Sequence, residues 1–271
     1  MLGQAERLYQ LNGLFKENVL QTEGCKIISI TSGKGGTGKS FLASNLAAEL
    51  SNTGSKVLLL DLDLNFANLN VMFNASSKKT LYHYLTYNQN LEDLIYEYSQ
   101  NLHLVLGESG KIDHPKFNEE RANILIEELR ILSENYDVII LDTASGADQG
   151  TIQLLINSDE LILVTTPEPT SVMDAYVIFK LLKSNGSRVI KNVVINKCFK
   201  DGEAEEAFGN LEKATNHFLK TDLNYLGELS FSEEIVKSIK AQNPIVDTKN
   251  SLKISRQFTS IINKLRIPTS G

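Results

Sequence analysis

Residues 33–40 read Gly33-Lys34-Gly35-Gly36-Thr37-Gly38-Lys39-Ser40. No other stretch restricts the fold as strongly. The pattern G-x-x-x-x-G-K-S is a phosphate-binding loop, which requires a strand before it and a helix after it. Both flanks comply. Lys26-Ile27-Ile28-Ser29-Ile30 is a β-branched run that predicts a strand, and Phe41 to Leu50 carries apolar residues at helical spacing without a breaker. Glycines let the backbone curl so that successive N–H groups point inward, and the helix N-terminus adds partial positive charge. In such a loop Lys39 reaches the β- and γ-phosphates and the Ser40 hydroxyl binds Mg²⁺. Two other readings compete. One is a glycine-rich turn with no ligand. The other is the dinucleotide fingerprint G-x-G-x-x-G, which Gly33, Gly35 and Gly38 also satisfy, with Asp61 where that fold places a ribose ligand. The Lys39-Ser40 pair argues against the second, because hydride transfer needs no metal-binding serine there.

The rest of the chain repeats the alternation. Strands are predicted at Lys26–Ile30, Lys56–Asp61, Leu102–Leu106, Asp137–Leu141, Glu160–Thr165, Lys191–Asn196 and Tyr225–Leu229. Helices are predicted at Phe41–Leu50, Glu119–Ser133, Ala147–Asn157, Ser171–Lys183 and Glu203–Lys220, with a last one from Ser251 to Leu265. Runs such as Val57-Leu58-Leu59-Leu60 and Val138-Ile139-Ile140-Leu141 are continuously apolar, as in strands covered on both faces. The expected fold is α/β: a single domain over residues 23–271, with a mostly parallel sheet flanked by helices. A leading segment, residues 1–22, precedes it.

A chain of 271 residues, 42% hydrophobic, can bury one large core. A net charge of −6 gives no general electrostatic attraction for nucleic acid, so direct DNA binding is not expected. Cys25 and Cys198 form no CxxC pair and suit a reducing compartment, and His83, His103, His114 and His217 lack metal-ligand spacing. With no signal-peptide pattern and no spanning apolar segment, the expectation is a cytoplasmic protein, at most peripheral to a membrane.

Ligands of parallel sheets sit at the carboxyl ends of strands. Two further strand ends carry acids there: Asp61-Leu62-Asp63 and Asp142-Thr143-Ala144-Ser145-Gly146. Asp142 fits a Mg²⁺ anchor acting through water, and Ser40, Asp142 and Asp61 are the candidate metal residues. Asp61 is the more structural of the two loop acids. Asp63 can orient a water for attack on the γ-phosphate, unless the pair merely solvates a loop. Gly146 can offer its backbone N–H to that phosphate and move when it leaves. Lys34 leaves the loop early and points outward. It is either a solvated lysine or a group that enters a second subunit's site to neutralise transition-state charge. Lys34, Lys39 and Asp63 are therefore the candidate catalytic residues.

These stretches together resemble the deviant Walker A ATPases of the MinD/ParA class, with Lys34 as the additional lysine. Asp61 to Asn70 is similar to that class's first switch region, and Asp137 to Gly146 to its Walker B strand and second switch. Val164 to Tyr176 and Leu91 to Gly110 resemble the FlhG/FleN (YlxH) branch, regulators of flagellar number and placement. The resemblance implies ATP held by Gly33, Gly35, Gly36, Thr37, Gly38, Lys39, Ser40 and Phe41 together with Mg²⁺. It implies that Asn196 reads the adenine ring, since an amide offers both a donor and an acceptor. It further implies an ATP-dependent homodimer that hydrolysis dissolves. By the same resemblance the partners are the flagellar GTPase FlhF, flagellar switch proteins and a flagellar transcription activator. Gly3-Gln4-Ala5-Glu6-Arg7-Leu8-Tyr9 corresponds to the D-Q-A-x-x-L-R element that stimulates FlhF: Gln4, Ala5 and Leu8 match, whereas Gly3 and Tyr9 depart. Alternatives within the superfamily are a septum-site or plasmid and chromosome partitioning ATPase, or a metabolic relative.

The last helix leaves two readings open. Ile254, Phe258, Ile261, Ile262 and Leu265 form an apolar stripe beside Lys253, Arg256, Lys264 and Arg266. Such a helix either lies on an anionic membrane or packs on the sheet.

Overall fold

The computed structural model describes residues 24–110, 117–248, 252–265 and 267. The leading segment, with Gln4, Ala5 and Leu8, lies outside the described residues, as does Arg266. Eight described strands form one sheet: β1 (Lys26–Thr31), β2 (Val57–Leu62), β3 (Tyr96–Glu97), β4 (Leu102–Val105), β5 (Val138–Thr143), β6 (Glu160–Thr165), β7 (Ile190–Cys198) and β8 (Asn224–Ser230). Their order is β3-β4-β2-β5-β1-β6-β7-β8. Only the short edge pair β3 and β4 is antiparallel. The described helices are α1 (Lys39–Asn52), α2 (Leu69–Met72), α3 (Leu81–Tyr87), α4 (Glu119–Leu132), α5 (Gln149–Asn157), α6 (Pro169–Ser184), α7 (Glu203–Ala214), α8 (Glu233–Lys240) and α9 (Leu252–Leu265).

The continuous apolar strands divide residue by residue between the two faces of the sheet, because successive side chains point to opposite sides. Ile28, Leu59, Ile140, Ile162 and Val194 pack beneath α1 and α9. Their neighbours Ile27, Leu58 and Ile139 meet α3 and α4, and Leu161 and Val193 meet α6 and α7. The expected α/β sheet with helices on both faces is thus what forms. α1 lies between sheet and α9 and is buried nearly all round. That burial explains why its sequence reads as apolar without a clear polar face.

α9 takes the core reading. Ile254, Phe258, Ile261 and Leu265 are buried. The Phe258 ring meets Phe41 edge-on, with centroids 6.0 Å apart. Lys26 Nζ donates to the Leu265 carbonyl, 3.1 Å. The apolar stripe is therefore spent on the sheet and not presented to a membrane. No described helix is long and apolar enough to cross one.

Elsewhere the boundaries shift. The helix expected to reach Lys220 ends as α7 at Ala214 and continues as a π turn, Thr215–Leu219. α3, α8 and β3 are not foreseen from periodicity, being short. α8 had a local signal: Ser232 caps it by accepting from the Glu234 N–H, 3.1 Å, with Glu233 and Glu234 in its first turn.

Candidate functional site

β1 sits where the strand order reverses. The chain leaves it for β2 on one side and later fills β6 on the other, so a crevice opens at its carboxyl end. Residues 33–40 turn there into α1. Gly36 and Gly38 adopt φ of 78° and 94°, conformations that glycine takes without penalty. Gly33 is needed for space: a Cβ there would stand 2.5 Å from the Asp174 backbone of α6.

Sheet register gathers the acids. Asp142 pairs with Ile30 of β1 on one side and with Asp61 of β2 on the other. Both carboxylates are fully buried. Lys39, itself buried, places Nζ 2.7 Å from Asp142 Oδ1 and 3.4 Å from Ser40 Oγ. Burial pushes Asp142 up, and the Lys39 ammonium opposes that shift. Asp61 is pushed up to about 7, by burial first and by the Asp142 charge second. Asp142 Oδ2 and Thr37 Oγ1 are buried without a hydrogen-bond partner. An orphaned carboxylate oxygen beside the Ser40 hydroxyl, at the mouth of a loop with a buried lysine, suits a hard cation and a polyphosphate. These residues fit a magnesium nucleotide.

The two loop acids differ in employment. Asp61 Oδ2 accepts from the N–H groups of Asn68, 2.9 Å, and Leu69, 3.0 Å, while Oδ1 accepts from the Asp63 N–H, 3.3 Å. Its oxygens hold the loop between β2 and α2. Gly107 completes that seat, since a Cβ there would press on Ala67 and Asp61. Asp63 lines the cleft, and its Oδ1 accepts from the Phe66 N–H, 3.0 Å.

Three other expected residues are engaged within the chain. Lys34 Nζ lies 2.9 Å from Glu168 Oε2 and 3.1 Å from Thr170 Oγ1, at the start of α6, on the protein surface. The Gly146 N–H donates to the Ser32 carbonyl, 2.9 Å, where a phosphate contact was expected. Asn196 Nδ2 donates to the Thr37 carbonyl, 2.7 Å, so its amide grips the loop even as the residue lines the cleft.

The cleft, about 650 Å³, has a wall that sequence reasoning missed. Phe66 and Phe231 stand at its rim, and α8 contributes Ile235, Val236 and Ile239. Phe231 stacks on Phe199 with centroids 4.7 Å apart. Phe41 borders the same space. An apolar wall opposite a phosphate loop matches a ligand with a flat base at one end and charge at the other.

Residues 24–266 match the ParA family model, described as NUBPL iron-transfer P-loop NTPase. The chain belongs to this ParA family of P-loop NTPases. Antiactivator FleN of Pseudomonas aeruginosa is 30% identical over 240 residues, 89% of this chain and 86% of FleN. Flagellum site-determining protein YlxH of Helicobacter pylori is 33% identical over 248 residues, 89% of this chain and 82% of YlxH. Among solved structures, the septum site-determining protein MinD of Pyrococcus horikoshii, complexed with Mg-ADP, matches at TM-score 0.75 and 27% identity, covering 89% of this chain and 96% of that one. The MinD/ParA resemblance and the likeness to the FlhG/FleN branch are both borne out. This ParA-family chain gathers no three His, Cys, Asp or Glu side chains as a metal site among the described residues. Cys25 and Cys198 stand at opposite ends of different strands, and burial pushes both thiols up to about 12, so both are protonated at neutral pH.

Proposed function

We propose that this protein is a MinD-type ATP switch that sets the number or placement of flagella. The observation that carries the reading is likeness to two flagellar regulators over 89% of the chain. The buried Lys39–Asp142 pair supports the nucleotide part. In this reading the loop N–H groups and Lys39 hold the ATP phosphates. Ser40 and Asp142 would hold Mg²⁺, which would supply charge neutralisation at the phosphate oxygens. Lys39 leaves Asp142 for the phosphates, which frees Asp142 Oδ1. Asp63 orients the attacking water. Lys34 exchanges Glu168 for the site of a second subunit, so dimerisation requires ATP, and hydrolysis dissolves the dimer. Asn196 borders the base. Residues 1–22 contact the GTPase FlhF, and the dimer presents surfaces to flagellar switch proteins and a transcription activator. The protein works in the cytoplasm without using α9 as a membrane anchor.

Replacing the chromosomal gene with a Lys39→Ala version and counting flagella per cell by electron microscopy tests the biological half. Altered number or position supports it. Normal flagella with displaced division septa would move the assignment to the septum-site reading, which the likeness to MinD keeps open.

A further inference from the structure

β7 does not end as a regular strand. Its pairing with β8 slips between Asn196 and Cys198, leaving Lys197 as the extra residue of a bulge. Lys197 has φ of +61°, a left-handed conformation that a lysine adopts at a cost. Bulges beside functional clefts re-aim side chains, and the result here is specific. Two consecutive side chains meet two consecutive carbonyls of the phosphate loop. Lys197 Nζ donates to Gly36 O and Asn196 Nδ2 donates to Thr37 O, each at 2.7 Å. The Asn196 Oδ1 accepts from the Lys197 N–H, 2.8 Å, so the bulge itself sets the amide's orientation. The loop is cut to match: Gly38 has φ of +94°, and a Cβ there would collide with the Asn196 amide. Both side chains line the cleft.

In a trans peptide the C=O and N–H point in opposite directions. Drawing the Gly36 carbonyl toward β7 therefore aims the Thr37 N–H the other way. Drawing the Thr37 carbonyl does the same for the Gly38 N–H. We infer that Lys197, acting with Asn196, is a positioning residue for nucleotide binding: it pre-sets these two peptide planes so that their N–H groups are available to phosphate before the ligand arrives. The inference rests on the reading of residues 33–40 as a nucleotide site. It gives a role to a lysine that stands in a backbone conformation suited to glycine.

Binding of the fluorescent probe mant-ADP with Mg²⁺ tests it, alongside thermal melting without nucleotide. Lys197→Met keeps the aliphatic stem and loses the ammonium, and weakens mant-ADP binding about fivefold, as expected for one exposed charge-assisted hydrogen bond. Lys197→Gly relieves the left-handed backbone. It weakens binding at least as much while melting no lower than Lys197→Met. Lys197→Arg restores wild-type affinity to within about twofold, since it can reach the same carbonyl. Wild-type affinity in the Met and Gly variants would overturn the inference, as would affinity losses that simply track melting temperature with no rescue by Arg. A wild-type protein that binds no mant-ADP would overturn the nucleotide reading itself, a separate result.

Discussion

Asp61 and Asp63 are two residues apart, yet the structure gives them opposite tasks. Asp61 is enclosed and organises backbone N–H groups, while Asp63 borders the cleft. Burial, with the Asp142 charge beside it, pushes the Asp61 carboxyl up from its ordinary value of 3.8 to about 7. A raised carboxyl pKa means the folded state prefers the neutral form. Its contribution to stability is complete below about pH 4 and is lost as pH rises through about 7. Without nucleotide or Mg²⁺, the wild type therefore loses melting temperature between about pH 5 and pH 8. Asp61→Asn, which resembles the neutral form, loses less over that range. An identical pH slope for the two proteins would contradict this account. The distinction between the acids was only partly legible in the sequence. The motif announces that acids follow β2, but Asp61's partners are Asn68 and Leu69, reached by a loop whose path no local pattern states. Asn196 shows the same limit. Its residue type and strand-end position can be read, whereas its bond to Thr37 depends on the β1–β6–β7 arrangement.

Among the elements, α9 shows why a pattern can be sound and still undecided. An apolar stripe with basic flanks satisfies a membrane surface and a sheet equally well. Burial decides it: Phe258 is wholly enclosed and meets Phe41 of α1. Phe258→Ala is accordingly expected to cost about 3–5 kcal/mol in urea denaturation, as for a large aromatic removed from a packed core. A change under about 1 kcal/mol, within the range of surface substitutions, would return α9 to the surface. α8 is the complementary case. Its Val236 and Ile239 are exposed at the cleft, so it looks like a short polar segment with scattered hydrophobics until the cleft is seen. By contrast β1, β2, β5 and β6 were legible because strands buried on both faces announce themselves as apolar runs.

At the scale of the molecule, the features of the site gather at the carboxyl ends of the strands. β1 delivers the loop, β2 and β5 deliver the acids, and β7 buckles the loop from the far side through Asn196 and Lys197. Lys34 does not line the cleft. It is held on the surface by Glu168 and Thr170, a position from which it serves no phosphate of its own subunit in the proposed mechanism. In that proposal a second subunit gives it one. Light scattering of the Asp63→Ala protein in Mg-ATP tests that claim most directly. The expected particle has twice the 30.1 kDa chain mass, reverting to the single-chain mass in Mg-ADP or when Lys34→Ala is added. A single-chain mass in saturating Mg-ATP, or an ATP dimer that persists without Lys34, would contradict it.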